Sequence, residues 1–207
     1  PNECSIVYAG EDSSLCADDD ATTTLTASYH ILGQDTSAYE ITSVNNCEFP
    51  SFLGGTPTSV ETDDEWSDVI DIGFDFCFFG GTYNQLLIGS NGVISFDLSN
   101  ANGYNGWSYD PGDTLPNSSN SSLSDANIFG VAHDIDPSVG GEINFMILGS
   151  APQRQFVVNY TAVPLFSGAC NELTSTSQII LYESSNVIDV NIIDKPICPT
   201  WNDGLAV

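Results

Sequence analysis

Basic residues are almost missing from this chain. Arg154 and Lys195 are the two in 207 residues, against 28 aspartates and glutamates, for a net charge of −26 at pH 7. Such a surface lacks the clustered Lys and Arg that hold phosphate backbones, which excludes nucleic acid as a partner. It also disfavours anionic membrane surfaces. Two readings of the acidity stay open. The charge keeps the surface soluble and self-repelling, or some of the carboxylates collect divalent cations. Salt water would screen the repulsion over a few ångströms, so the composition suits a saline habitat.

Long apolar runs are missing too. No stretch of about 18 apolar residues is present to cross a membrane as a helix. No basic-then-apolar leader opens the chain, which starts at Pro1 as though already processed or excised. Helical periodicity is absent: no window places apolar residues at i, i+3, i+4 and i+7 with helix formers between them. CxxC pairs are lacking and His30 and His133 are the two histidines, which argues against zinc. There is no Gly-x-Ser-x-Gly elbow, no HExxH and no phosphate-binding loop. No cysteine sits in a nucleophile motif. A glycosidase acid pair would need two carboxylates facing across a sugar at roughly 5 to 9 Å, and among so many acids spacing alone selects none. The chain therefore reads as non-catalytic.

What the chain has instead is strand patterning. The hydrophobic fraction is 41%, ordinary for a globular protein. At this length a core buries roughly 70% of the unfolded surface, so folding requires neither metal nor partner. Val69 to Phe79 places Ile70, Ile72, Phe74, Phe76 and Phe78 on one face and Asp71, Gly73, Asp75, Cys77 and Phe79 on the other. That period of two predicts a strand with one core face and one wet face. Tyr83–Ile88 and Val93–Asp97 are joined through Gly89-Ser90-Asn91-Gly92, and Asn-Gly predicts a type I′ hairpin turn. Further strands are expected at Ser5–Ala9, Thr22–Tyr29, Tyr39–Val44, Asn127–His133, Glu142–Leu148, Arg154–Ala162, Thr176–Glu183 and Val187–Ile193, with Glu183-Ser184-Ser185-Asn186 closing the last hairpin. The fold class that follows is all-β: an antiparallel β-sandwich of about ten strands with long loops. Residues 1–207 read as a single module, with 1–28 as lead-in strands or the edge of a preceding module.

The six cysteines, Cys4, Cys16, Cys47, Cys77, Cys170 and Cys198, are even in number and widely spread. They read as disulfides formed in an oxidising compartment. Cys4 and Cys16 flank a short loop and are the easiest pair to propose. The other pairings stay open.

Phe49 to Glu65 and Leu98 to Asp125 are not strand-like, and loops this long are often functional. The second carries Tyr104, Trp107 and Tyr109 beside Asn, Asp and Gly. Those are the residue types of a sugar-stacking surface. The plainer reading folds the aromatic rings back as a lid on the core. Trp66 and Trp201 are ambiguous in the same way. Asp134 and Asp136, in Ala132-His133-Asp134-Ile135-Asp136-Pro137, point to one side of a strand end and offer hard oxygen ligands for Ca²⁺. The competing reading is carboxylates that cap a turn or bond backbone N–H groups. His133 reads as a packed or rim histidine. Asn117, Asn120 and Asn159 match the N-glycosylation acceptor pattern, and Asp113-Thr114-Leu115 looks similar to a bacteroidete O-glycosylation acceptor.

Several strings keep an order that resembles a known module. They are Gly54-Gly55-Thr56-Pro57-Thr58-Ser59-Val60, Asp63-Asp64-Glu65-Trp66-Ser67, Phe74 to Gly80 and Tyr83 to Asp97. Phe129-Gly130-Val131 with Asp134 to Pro137, Arg154 to Val158, Gln178 to Glu183 and Asp194 to Cys198 continue the series. Together they resemble the β-rich module of very large Bacteroidota cell-surface proteins, including gliding-motility-associated and adhesin-like proteins exported by the type IX system. The Ser-Asn-Gly-Val-Ile-Ser-Phe hairpin is also similar to nidogen-like extracellular domains. The resemblance covers about Thr22 to Val207 and implies a secreted, surface-exposed, non-catalytic module in adhesion or in surface and filament architecture. Its implied partners are surface glycans, other cell-surface modules or further copies assembling by strand addition. It also implies that the chain is a fragment whose export signals lie elsewhere. A carbohydrate-binding module using the Trp107 loop, with Ca²⁺ near Asp134 and Asp136, is the alternative.

Overall fold

The structure, a computed structural model, describes residues 4–8, 28–32, 49–108, 113–117, 119–120 and 122–201. Among these residues the regular elements are strands and one 3₁₀ turn at Leu98–Asn100. Strands β1 (Cys4–Tyr8) and β2 (Ser28–Leu32) pair antiparallel as a small sheet of their own. Strand β3 (Thr56–Pro57) is short. Strands β4 (Ile70–Phe78), β5 (Gly81–Ile88), β6 (Val93–Ser95) and β7 (Asn127–Phe129) form a four-stranded antiparallel sheet. Strands β8 (Glu142–Leu148), β9 (Gln155–Pro164), β10 (Thr174–Tyr182) and β11 (Ile188–Asp194) join β3 in a five-stranded sheet ordered β11-β10-β9-β8-β3.

The expected all-β sandwich is what forms. The apolar face of β4 meets that of the other sheet: Ile72, Phe76 and Phe78 share one core with Phe156, Val158 and Tyr160 of β9 and Ile179 and Leu181 of β10. Each such side chain contributes roughly 1.5–3 kcal/mol by leaving water. Burial along β4 alternates as the period of two predicts, with Ile70, Ile72, Phe74, Phe76 and Phe78 inside. The ladder to β5 shifts register between Asp71 and Phe76, and Gly73 has φ +86°. Arg154 braces that bulge. Its Nη1 donates to the Gly73 carbonyl at 2.5 Å, and its guanidinium bonds Glu183 at 2.6 Å. The same group lies 5.5 Å over the Phe74 ring.

Strand β9 does not alternate, because it is central and covered on both faces. Its second face carries a row of amides. Asn144, Asn159, Gln178 and Asn191 stand opposite one another on β8, β9, β10 and β11. Asn159 donates to Asn144 at 2.8 Å, Gln178 to Asn159 at 2.8 Å and Asn191 to Gln178 at 3.2 Å. Asn144, Asn159 and Gln178 are fully buried, so these bonds satisfy amides that water does not reach. Burial also closes Asn159 to glycosylation.

Three expectations change. The β5–β6 turn is not type I′: Gly92 has φ +75°, but Asn91 is not in the left-handed region that this turn requires. Asn91 is held otherwise by bonds described below. Phe49 to Glu65 contributes β3, which pairs with β8. The strand expected over Asn127–His133 ends at Phe129, where the chain leaves the ladder to enter the loops. Tyr39–Val44 and most of Thr22–Tyr29 lie outside the described residues. The closing hairpin at Glu183–Asn186 forms as expected, with Ser184 and Asn186 at positive φ.

Of the cysteines, Cys170 bonds Cys198 with the Cα atoms 5.8 Å apart. Cys77 is also disulfide-bonded. Cys4 begins β1. Cys16 and Cys47 lie outside the described residues, and with them the proposed Cys4–Cys16 pair.

Candidate functional site

The four-residue turn Gly89–Gly92 organises one end of the sandwich. Asn91 is its hub and is fully buried. Its Nδ2 donates to Asp64 Oδ1 and to the Asn105 carbonyl, both at 2.8 Å. Its Oδ1 accepts the Ile135 N–H at 3.1 Å, and its own carbonyl accepts the His133 N–H. Asn105 answers by accepting the Asn91 N–H on Oδ1 at 3.0 Å. One side chain thus ties together three loops: the one before β4, the one after the 3₁₀ turn and the one after β7. Close approach makes this workable. A Cβ on Gly89 would lie 2.4 Å from Asn105 Oδ1, and one on Gly92 would lie 2.2 Å from the Val131 carbonyl. Tyr160 of β9 pins the turn from the opposite sheet, donating to the Gly89 carbonyl at 2.9 Å.

The loops so gathered bring carboxylates together. One oxygen each from Asp63, Asp64 and Asp134 lies within 4.8 Å of the others. Asp134 is 1% exposed. Its Oδ2 accepts the Trp201 indole N–H, while its Oδ1 is buried with no hydrogen-bond donor. Asp63 Oδ1 is buried and without a donor in the same way. Asp64 accepts from Asn91 and hydrogen-bonds Tyr104.

Electrostatics follow from this crowding. Burial, reinforced by the neighbouring carboxylates, pushes the Asp134 carboxyl up to about 7. Burial first, then Asp64 and Asp136, pushes Asp63 up to about 6. Burial also raises Asp64. His133 is 1% exposed and has neither ring nitrogen hydrogen-bonded; burial pushes it down to about 4. A neutral, packed imidazole is what this describes.

The sequence-predicted residues divide. Asp134 joins the cluster. Asp136 lies near enough to act on its charges, but spends Oδ1 on the Ser138 N–H and hydroxyl, capping a turn. Tyr104 is largely exposed and bonds Asp64. Trp107 is half-buried, its ring 5.2 Å from Trp201, which in turn lies 5.2 Å from Phe166. Tyr109 lies outside the described residues. Trp66 is wholly buried among Leu87, Val93 and Leu123. Asp63, Asp64, Asn91, Asn105 and Phe166 were not singled out as site residues. The Asp63-Asp64 doublet is the signal that would have directed attention there.

A family model described as NIDO related matches residues 38–204. Searches of curated proteins and of solved structures return no match.

Proposed function

The chain belongs to the NIDO-related family, and from that premise we propose that it is a non-catalytic extracellular module of a bacterial cell-surface protein, serving adhesion. The family and the Cys170–Cys198 disulfide both support an extracellular setting, where such bonds persist. No helix among the described residues is long and apolar enough to cross a membrane. The ordered strings quoted above support a large Bacteroidota surface protein exported by the type IX system as its parent.

The observation that carries the adhesive reading is the β11 edge. Val190, Ile192 and Ile193 on that strand, with Val187 and Ile197 beside it, are 38–62% exposed. Among the described residues β11 is the outer strand of its sheet. A sheet edge with apolar side chains accepts an added strand, main chain to main chain. The occupant is a strand from a different surface module, of low or positive charge. A net charge of −26 opposes pairing with a second copy. Beads coated with the domain should attach to cells of the source organism, and Ile192→Lys with Val190→Lys should abolish that attachment. Undiminished attachment overturns the reading. Filaments of the purified domain would instead assign the edge to self-assembly.

A second reading has its own observation. Trp107, Trp201 and Phe166 gather beside the buried Asp134, an arrangement suited to stacking on a sugar. A glycan array tests it: a sugar retained by the domain and lost on Trp107→Ala supports this reading, and no bound glycan removes it.

A further inference from the structure

We propose that Asp63, Asp64 and Asp134 hold a hard divalent cation, Ca²⁺ by its all-carboxylate ligand set, that locks the loop end of the sandwich. The proposal is independent of which partner the module binds. Three carboxylates meet there, with one oxygen from each within 4.8 Å of the others. Ca²⁺ takes oxygens at about 2.3–2.6 Å, so two ligands across one ion stand up to about 5 Å apart, a span that these three oxygens fit; Mg²⁺ gives up its own waters reluctantly and rarely takes a cage of protein carboxylates.

An acidic cluster alone is an ordinary feature of a chain this charged. A separate observation distinguishes this one. Asp134 is 1% exposed, yet its Oδ1 accepts no hydrogen bond, and Asp63 Oδ1 is buried in the same condition. Two desolvated carboxylate oxygens in one cluster lack the partners that buried carboxylates need. The charges acting on Asp134 are Asp63, Asp64 and Asp136, all of its own sign. Of the two basic residues, Arg154 is engaged with Glu183, and Lys195 acts on the His133 ring and is not among the charges acting on Asp134. A water molecule would supply a donor and leave the like charges opposed to one another. A divalent cation supplies the missing partner and removes the repulsion.

The surrounding bonds suit such a site. Asn91 and Tyr104 fix Asp64, and the Trp201 indole fixes Asp134 through the oxygen that is not orphaned. Outer contacts of this kind orient ligands before the ion arrives. The ion would clamp the loop before β4 to the loop after β7, the same two that Asn91 bridges.

The test uses the chelator-treated domain titrated with CaCl₂ or MgCl₂ at constant ionic strength, followed by calorimetry and thermal unfolding. One Ca²⁺ should bind per chain, with a dissociation constant of roughly 10⁻⁵ to 10⁻³ M and Mg²⁺ at least about tenfold weaker. Asp134→Asn and Asp63→Asn should each lose at least about tenfold in Ca²⁺ affinity. Asp75→Asn, an exposed carboxylate on β4, should bind as the parent does. Terbium supplies a readout that does not depend on stability. Tb³⁺ luminescence sensitised by the nearby Trp201 should fall sharply on Trp201→Phe and disappear on Asp63→Asn. Absent binding, Asp134→Asn and Asp63→Asn that bind as tightly as the parent, or a midpoint shift that NaCl reproduces at equal ionic strength would overturn the proposal. Should Asp134→Asn fail to fold, Asp63→Asn and the terbium signal decide.

Discussion

Replacing Asn91 with alanine removes the hub of the loop end, and its cost can be worked bond by bond. The side chain makes three hydrogen bonds: to Asp64 Oδ1, to the Asn105 carbonyl and from the Ile135 N–H. Asn91 is 0% exposed, so water does not step in when the amide leaves. Each buried group left without a partner costs about 1–3 kcal/mol, with a charged group toward the upper end. Asp64 keeps its bond with Tyr104, which lightens its share. Asn91→Ala should therefore cost roughly 3–6 kcal/mol, a large part of the stability of an ordinary domain. At about 2–4 °C per kcal/mol for a chain this size, the unfolding midpoint should fall by roughly 10–20 °C. The assay is urea and thermal unfolding followed by circular dichroism. Gln85→Ala is the comparison, because Gln85 makes one bond to Asp71 at an exposed position. That variant should move stability by no more than about 0.5 kcal/mol. If Asn91→Ala costs no more than Gln85→Ala, the loop end is not held by this residue and the reasoning fails.

Other outcomes follow from single features. Gly92→Ala should destabilise by about 3 kcal/mol or more, since its Cβ would meet the Val131 carbonyl at 2.2 Å in a left-handed backbone; a urea midpoint measures it. Replacing both Cys170 and Cys198 with alanine frees a disulfide spanning 28 residues and should cost about 3–4 kcal/mol, read from the same urea curves. Tyr182 is pushed up to about 12, first by burial and then by its bond to Asp189. The folded state keeps that proton longer than the unfolded chain, so its contribution is full below the ordinary tyrosine value of about 10 and is lost as pH rises toward 12. Unfolding midpoints measured across that window should fall less steeply in Tyr182→Phe than in the parent.

How much of this was legible in the sequence depended on range. The β4 strand declared itself through local alternation, and its Phe face is the core. The Glu183–Asn186 turn is equally local, because its small and amide residues accept positive φ where the hairpin needs it. Strand β9 gave a weaker pattern: a central strand covered on both faces has no wet side to alternate with. The Asn-Gly turn misled on type because Asn91 answers to distant partners, Asp64, Asn105 and Ile135, and tertiary bonds override the local preference. Asp134 stood out beside a proline turn, while Asp63 and Asp64 lie far from it along the chain and meet it through loop packing alone. No spacing rule encodes such a meeting. Nor did the glycosylation pattern at Asn159 reveal that its amide is engaged between two neighbouring strands.

The amide row on the outer face of the five-stranded sheet has a sense of direction. Asn191 gives to Gln178, Gln178 to Asn159, Asn159 to Asn144, and Asn144 to the Glu142 carboxylate. Every donor points the same way, and the series ends on a group that only accepts. Dipoles aligned head to tail polarise one another, so each link strengthens the next and a negative charge draws on the whole relay. A slip of one residue on any of the four strands would turn its amide to the opposite face and break the relay at that rung. The sheet's alignment is therefore tied across four strands at once, and a mispaired strand would forfeit these bonds as well as its apolar packing.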